Sequence, residues 1–109
     1  YLGVGVASLS ESVASELGVP AGAMVTEVRQ GTPAAEAGLR AASGSEMVNG
    51  QSYPTGGDVI TAVDGTAITD GASLQSAIDA KRPGDSVSIT YTRDGTSTTV
   101  QVSLGTRPS

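Results

Sequence analysis

Tyr1-Leu2-Gly3-Val4-Gly5-Val6 opens the chain and sets how the rest is read. Apolar residues at 2, 4 and 6 alternate with glycines at 3 and 5, the two-residue period of a strand. Glycines weaken a strand, so inside one they mark a bulge or a close approach by another backbone or a ligand. Backbone N–H groups clustered in a turn before such a strand form a concavity suited to an anion, and Gly3 has the freedom to shape it. Two readings follow. In one the strand's mouth grips a peptide carboxylate, and in the other this is a plain edge strand with glycines at a bulge.

Outward from that strand, Ser8-Leu9-Ser10-Glu11 has the Ser-x-x-Glu spacing of a capping box. Val13 and Leu17 share a face and Gly18-Val19-Pro20 stops the turn, which predicts a short helix over Glu11 to Leu17. Ala23 to Val28 is a strand by its apolar content. Gly31-Thr32-Pro33 opens a second short helix, with Thr32 as N-cap, Pro33 at the first helical position and Gly38 past the end. Residues 41–57 have no clean period, and their Gly, Ser, Asn-Gly and Pro content predicts a long surface loop, partly mobile. Asp58 to Val63 is a strand, Asp64-Gly65 a hairpin turn and Thr66 to Ile68 a short strand. Asp70 caps a helix from about Ala72 to Lys81, which carries Leu74, Ala77 and Ile78 at helical spacing. Pro83-Gly84-Asp85 turns the chain. Val87-Ile89-Tyr91 and Val100-Val102-Leu104 then alternate on either side of Asp94-Gly95, a hairpin. The expected class is mainly β with short helices (α+β): a partly open antiparallel β-barrel or sandwich capped by two or three helices. One domain spans 1–105, with a tail or linker at 106–109.

Composition excludes several chemistries. No cysteine means no disulfide, thiol nucleophile or zinc–thiolate site, and no histidine means no Ser-His-Asp triad. A net charge of −5, with no basic cluster and no aromatic platform, argues against nucleic acid. The aspartates stand singly in turns and caps (Asp64, Asp70, Asp94), without the second carboxylate that acid–base pairs need. Lys81 fits a solvated cation at a helix end. Catalytic residues, metal ligands and cofactors are therefore expected to be absent from this chain. No apolar run reaches membrane-spanning length and no signal peptide is visible. A chain that opens straight into a strand reads as an excised domain whose targeting segment lies elsewhere, and any membrane contact would come through that segment.

The stretches Tyr1-Leu2-Gly3-Val4, Val28 to Leu39 and Gly57 to Gly65, in that order, resemble a PDZ domain. More narrowly, they are similar to the PDZ domains of bacterial HtrA/Deg serine proteases. Leu74 to Ile78, Arg82-Pro83-Gly84-Asp85, Tyr91 to Gly95 and Leu104 to Pro108 continue the resemblance, and 41–57 departs from it as an insertion. The resemblance implies a module without catalysis of its own that binds peptides or unfolded segments with apolar C-termini. Such a module regulates an attached protease domain, or tethers its substrate, outside the cytoplasm. Backbone N–H groups of Leu2, Gly3 and Val4 would hold the carboxylate. The groove would draw on Gly5, Val6, Ser73, Leu74, Ala77 and Ile78. Leu74 and Ile78 serve equally well as plain core, and Ser73 and Ala80 lie on the helix's other face, so the face toward the groove stays open. Two other homes fit the same residues: a scaffolding or secretion-assembly module, and the PDZ segment of a C-terminal-processing or intramembrane metalloprotease.

Overall fold

In a computed structural model of the chain, residues 2–82, 84–93 and 95–105 are described. Tyr1, the proline of the expected 83–85 turn, the aspartate of the expected 94–95 turn and the tail 106–109 lie outside the described residues. The elements run β1 (Val4–Leu9), α1 (Glu11–Leu17), β2 (Gly22–Val28), α2 (Pro33–Glu36), β3 (Gly44–Val48), β4 (Gln51–Thr55), β5 (Val59–Val63), β6 (Thr66–Ala67), α3 (Gly71–Asp79), β7 (Ser86–Arg93) and β8 (Thr96–Ser103). The main sheet has the order β1-β2-β5-β7-β8, with β6 paired to β5, and every pairing is antiparallel. It stays open, with β1 and β8 as its edges, and the small helices pack around it.

Both faces of the sheet's middle are covered. Ala23 and Val25 of β2 and Ile60 of β5 face the main core with Leu74, Ile78, Val87 and Ile89. Their neighbours Met24 and Val59 face a second cluster closed by Leu9 and by Ala14 of α1. This is why Ala23-Met24-Val25 and Val59-Ile60 read as continuous apolar runs, whereas a strand buried on one face alternates.

Local chemistry departs from the sequence expectation at several points. The first strand begins at Val4 and continues to Leu9, which places Ser8 inside it. The cap of α1 is therefore Ser10, whose hydroxyl accepts from the Val13 N–H. Helix α3 starts at Gly71 and ends at Asp79, held at its start by a reciprocal capping box between Asp70 and Ser73. Thr32 and Pro33 open α2 as expected.

The largest departure is the insertion. Instead of a loop, β3 and β4 pair as a two-stranded hairpin from Gly44↔Thr55 to Val48↔Gln51. Its turn is Asn49-Gly50, both at positive φ (52° and 82°), as a tight two-residue hairpin turn requires. Period counting misses it because neither strand has a consistently buried face: β3 is exposed up to Val48. Pro54 is tolerated since β4 is an edge. The stem is tied at its base. Ser43 N–H donates to the Thr55 carbonyl (3.0 Å), Asp58 N–H to the Arg40 carbonyl (3.0 Å), and Arg40 N–H to Asp58 Oδ2 (2.9 Å).

Asp58 itself precedes β5 and is fully buried. Arg93 Nε and Nη2 donate to its two oxygens at 2.7 Å each, and Nη2 also reaches the Gly38 carbonyl. This fork joins the end of α2, the base of the hairpin and the end of β7. Breaking such a buried pair by removing one partner costs about 3–5 kcal/mol.

Candidate functional site

Strand β1 pairs with β2 along one side only, so its outer edge lies toward α3. Between the two opens a cavity of 480 Å³. Leu2, Gly3, Val4, Val6 and Arg29 line one wall, and Gly71, Leu74, Gln75, Ile78 and Asp79 the other. Val4 and Val6 are half-buried apolar walls, while Leu74 and Ile78 are 3% and 4% exposed and belong to the main core. These two side chains are therefore both core and cavity floor. At the rim the Gln75 amide donates to Asp79 Oδ1 (2.9 Å), one helical turn on.

The mouth of the cavity is built by the turn before β1. The Leu2 carbonyl accepts from the Ala34 N–H at the start of α2, and the Gly3 carbonyl from the Arg29 N–H, both at 3.0 Å. In a trans peptide the N–H points opposite to its carbonyl. The N–H groups of Gly3 and Val4, which share those two peptide planes, are thereby turned away from α2 and β2. Gly3 has φ +88°, and a Cβ there would overlap the Thr32 side chain, which caps α2. A glycine is thus required at this point twice over, by conformation and by space. Just inside the mouth the β1–β2 register slips between Gly5 and Val6, the bulge that one reading of the opening stretch anticipates.

Six of the nine residues proposed from sequence come together in this cavity: Leu2, Gly3, Val4, Val6, Leu74 and Ile78. The structure does not bring the other three there. Gly5 sits in β1 against Glu27, with 3.3 Å between the Glu27 Cβ and the place a Gly5 Cβ would take. Ser73 and Ala77 line a different concavity of 590 Å³ with Asp64, Ala80 and Lys81, on the opposite flank of α3. There Lys81 Nζ meets Asp64 Oδ2 at 2.9 Å, so Lys81 is ion-paired beyond the helix end. The Ser88 N–H on Asp64 Oδ1, and then Lys81, hold the Asp64 carboxyl below the usual aspartate range, and the carboxylate in turn raises Lys81. The Ser73 N–H lowers Asp70 in the same sense.

Sequence reasoning missed Arg29, Gly71, Gln75 and Asp79 on the cavity wall. Gly71 and Gln75 were reachable, because positions 71, 74, 75 and 78 form one helical stripe once Leu74 and Ile78 are set inward. Arg29 follows β2 in the chain, and only the sheet pairing carries it beside Gly3. Among the described residues no cluster of acidic side chains could hold a metal ion. No described helix is long and apolar enough to cross a membrane.

The sequence profile described as "PDZ domain" matches residues 1–104. The serine protease Do-like HtrA of Lactococcus lactis subsp. lactis is 39% identical over 105 residues, covering 93% of this chain and 22% of that protein. The periplasmic pH-dependent serine endoprotease DegQ of Escherichia coli K12 is 32% identical over 99% of this chain and 21% of its own length. The chain thus spans about a fifth of these relatives. Among solved structures, the HtrA-type protease AlgW with decapeptide superposes with a TM-score of 0.74 at 32% identity, over 100% of this chain and 30% of that one. The HtrA3 PDZ domain bound to a phage-derived ligand (FGRWV) shares the fold, with a TM-score of 0.66 at 21% identity over 96% of this chain and 82% of that one.

Proposed function

The chain belongs to the PDZ domain family, and from that premise we propose that it captures the C-terminal ends of peptides and unfolded segments in the cavity between β1 and α3. The observation that carries this reading is the conjunction of an unpaired strand edge, an apolar floor and a turn of outward N–H groups in one 480 Å³ space. A ligand adds to β1 as an antiparallel strand, running from Leu9 toward Val4. Its carboxylate lies at the turn and accepts from the N–H groups of Leu2, Gly3 and Val4. Its last side chain, apolar, sits on Leu74 and Ile78 between Val4 and Val6. Residues 1–105 form this binding unit. Two similar structures, of the HtrA-type protease AlgW with a decapeptide and with a tripeptide, support peptide binding.

Magnitudes set the strength. One buried apolar side chain contributes about 1.5–3 kcal/mol, and a hydrogen bond to a charged group about as much again. Ordering and association offset much of this, leaving dissociation constants on the order of micromolar. Such reversible capture suits tethering or regulation of an HtrA/Deg-type serine protease domain carried by the same polypeptide. The relatives' names support an attached serine protease and an extracytoplasmic, periplasmic setting; a cell-envelope setting and a role in protein quality control are part of the same proposal.

The test is a calorimetric or NMR titration of one peptide in two forms, ending in a free acid or in an amide. The acid should bind and the amide should lose at least about tenfold, since donors then face donors. Equal affinity of the two forms, or shifted resonances far from residues 2–6 and 71–79, sinks the groove assignment.

A further inference from the structure

The first cavity ends where Gly71 meets β1. The Gly71 N–H donates to Ser8 Oγ at 2.8 Å, and a Cβ on Gly71 would sit 3.2 Å from Val6 Cγ2. Beyond this bridge a second cavity, of 490 Å³, opens at the far end of the same strand. Leu9 and Val13 supply apolar wall, and Tyr53 reaches in from the inserted hairpin as an aromatic side. The tyrosine hydroxyl is fixed by the Gln51 side chain at 2.8 Å. The charged side chains that line it are Glu11 and Asp70, both acidic. Asp70 is oriented by its cap bond to the Ser73 N–H at 2.7 Å.

From Val4 to Ser8 is about 13 Å at roughly 3.3 Å per strand residue. A peptide added to β1 with its carboxylate at the turn, opening the Gly71–Ser8 contact as it passes, therefore reaches the second cavity about four residues upstream of its end. We propose that this cavity is an upstream subsite of the same groove, taking a lysine or arginine from the fifth or sixth residue before the ligand's C-terminus. The apolar stem of such a side chain packs on Leu9, Val13 and the Tyr53 ring, and its cation lies by Glu11 and Asp70. The inference rests on the binding direction proposed above. It adds a role for the hairpin, which supplies one wall of the subsite.

The experiment compares three acid peptides on the intact chain: acetylated Ala-Ala-Ala-Val, and two heptapeptides with that ending whose three upstream residues include two lysines or two glutamates. The lysine heptapeptide should bind about three- to tenfold tighter than the tetrapeptide, and the glutamate one no tighter. Raising salt should shrink the lysine advantage. Glu11→Gln and Tyr53→Ala should each reduce that advantage while leaving tetrapeptide affinity unchanged. If lysine and glutamate extensions bind alike, or if both variants keep the full advantage, the subsite is overturned while the groove stands. If none of the three peptides binds, groove and subsite both fall. Concentration-dependent dimerisation abolished by Tyr53→Ala would assign the cavity to a second copy and overturn the proposal as well.

Discussion

Helix α3 has a concavity on each flank, and the larger of the two is not the one proposed to bind peptide. The outer one, at 590 Å³, lies against the Asp64-Gly65 turn and is lined by Ser73, Ala77 and Ala80. The inner one, at 480 Å³, lies against β1. What separates them is backbone. The inner flank faces a strand edge and a turn whose carbonyls are already committed to Ala34 and Arg29. On the outer flank the Asp64 N–H is bonded to the Ser88 carbonyl, and Asp64 and Lys81 satisfy each other. Space alone does not select a peptide. On the proposed reading, the open strand edge of β1 does.

The sharpest way to break this comparison is to place a charge on each flank. Ile78→Asp puts a carboxylate where the native side chain is 4% exposed, in the main core. It should destabilise the chain by more than about 3 kcal/mol, or unfold it. Ala77→Asp, on the partly exposed outer flank but still touching the main core, should cost about 1–2 kcal/mol and leave peptide affinity unchanged. Urea denaturation and peptide titration of both variants decide it, and the reverse ranking would put the core on the other face of α3.

A finer cut uses two glycines of nearly equal φ, Gly3 at +88° and Gly65 at +81°. A methyl on Gly65 meets nothing within 4 Å, so Gly65→Ala should cost only the backbone strain, about 1 kcal/mol, with binding intact. Gly3→Ala adds overlap with the Thr32 side chain to the same strain. It should cost about 2 kcal/mol or more and weaken the acid peptide about tenfold or more, because the mouth must shift. Equal effects of the two on peptide affinity would detach Gly3 from the site.

The smallest effect is on pH. Asp64, on the outer flank, has its folded pKa lowered by the Ser88 N–H and by Lys81. Its contribution to stability is therefore full above the unfolded aspartate value of about 3.9 and is lost as pH falls through the lowered folded value. Lys81 is raised, so its share is present below the unfolded lysine value of about 10.4 and fades as pH climbs through the raised one. Asp64→Asn should flatten both ends of the stability–pH curve while leaving acid-peptide affinity at neutral pH unchanged. A change in that affinity would tie the two flanks together.

Much of this architecture was legible in the residues. Thr32-Pro33, Asp70, Asp64-Gly65 and the 87–91 and 100–104 alternations placed their elements, because each is a local signal with a local cause. The turn before β1 was legible for the same reason, as glycines at 3 and 5 need an explanation, though Gly3 precedes the strand and Gly5 falls outside the cavity. The hairpin was written as Asn49-Gly50, the strongest short hairpin signal, but its strands lack a buried stripe to confirm it. The Asp58–Arg93 fork left a subtler trace. Arg93 falls on the inward register of Val87, Ile89 and Tyr91, where a charge calls for a buried partner. Which partner, 35 residues away, only the sheet pairing decides. The inward face of α3 stayed open because small Ala and Ser residues suit a crowded face and an exposed one alike.

The rung at Arg40 and Asp58 makes the two ends of the insertion leave the body at one point. The hairpin can therefore be treated as a cassette. Lengthening or trimming it by two residues in each strand keeps the turn type, the faces of the strands and the main sheet where they are. Adding a single residue to β4 between Tyr53 and the stem reverses the face that Tyr53 presents, because side chains alternate along a strand. A repertoire of arms built in steps of matched pairs could thus be grown on one unchanged main sheet.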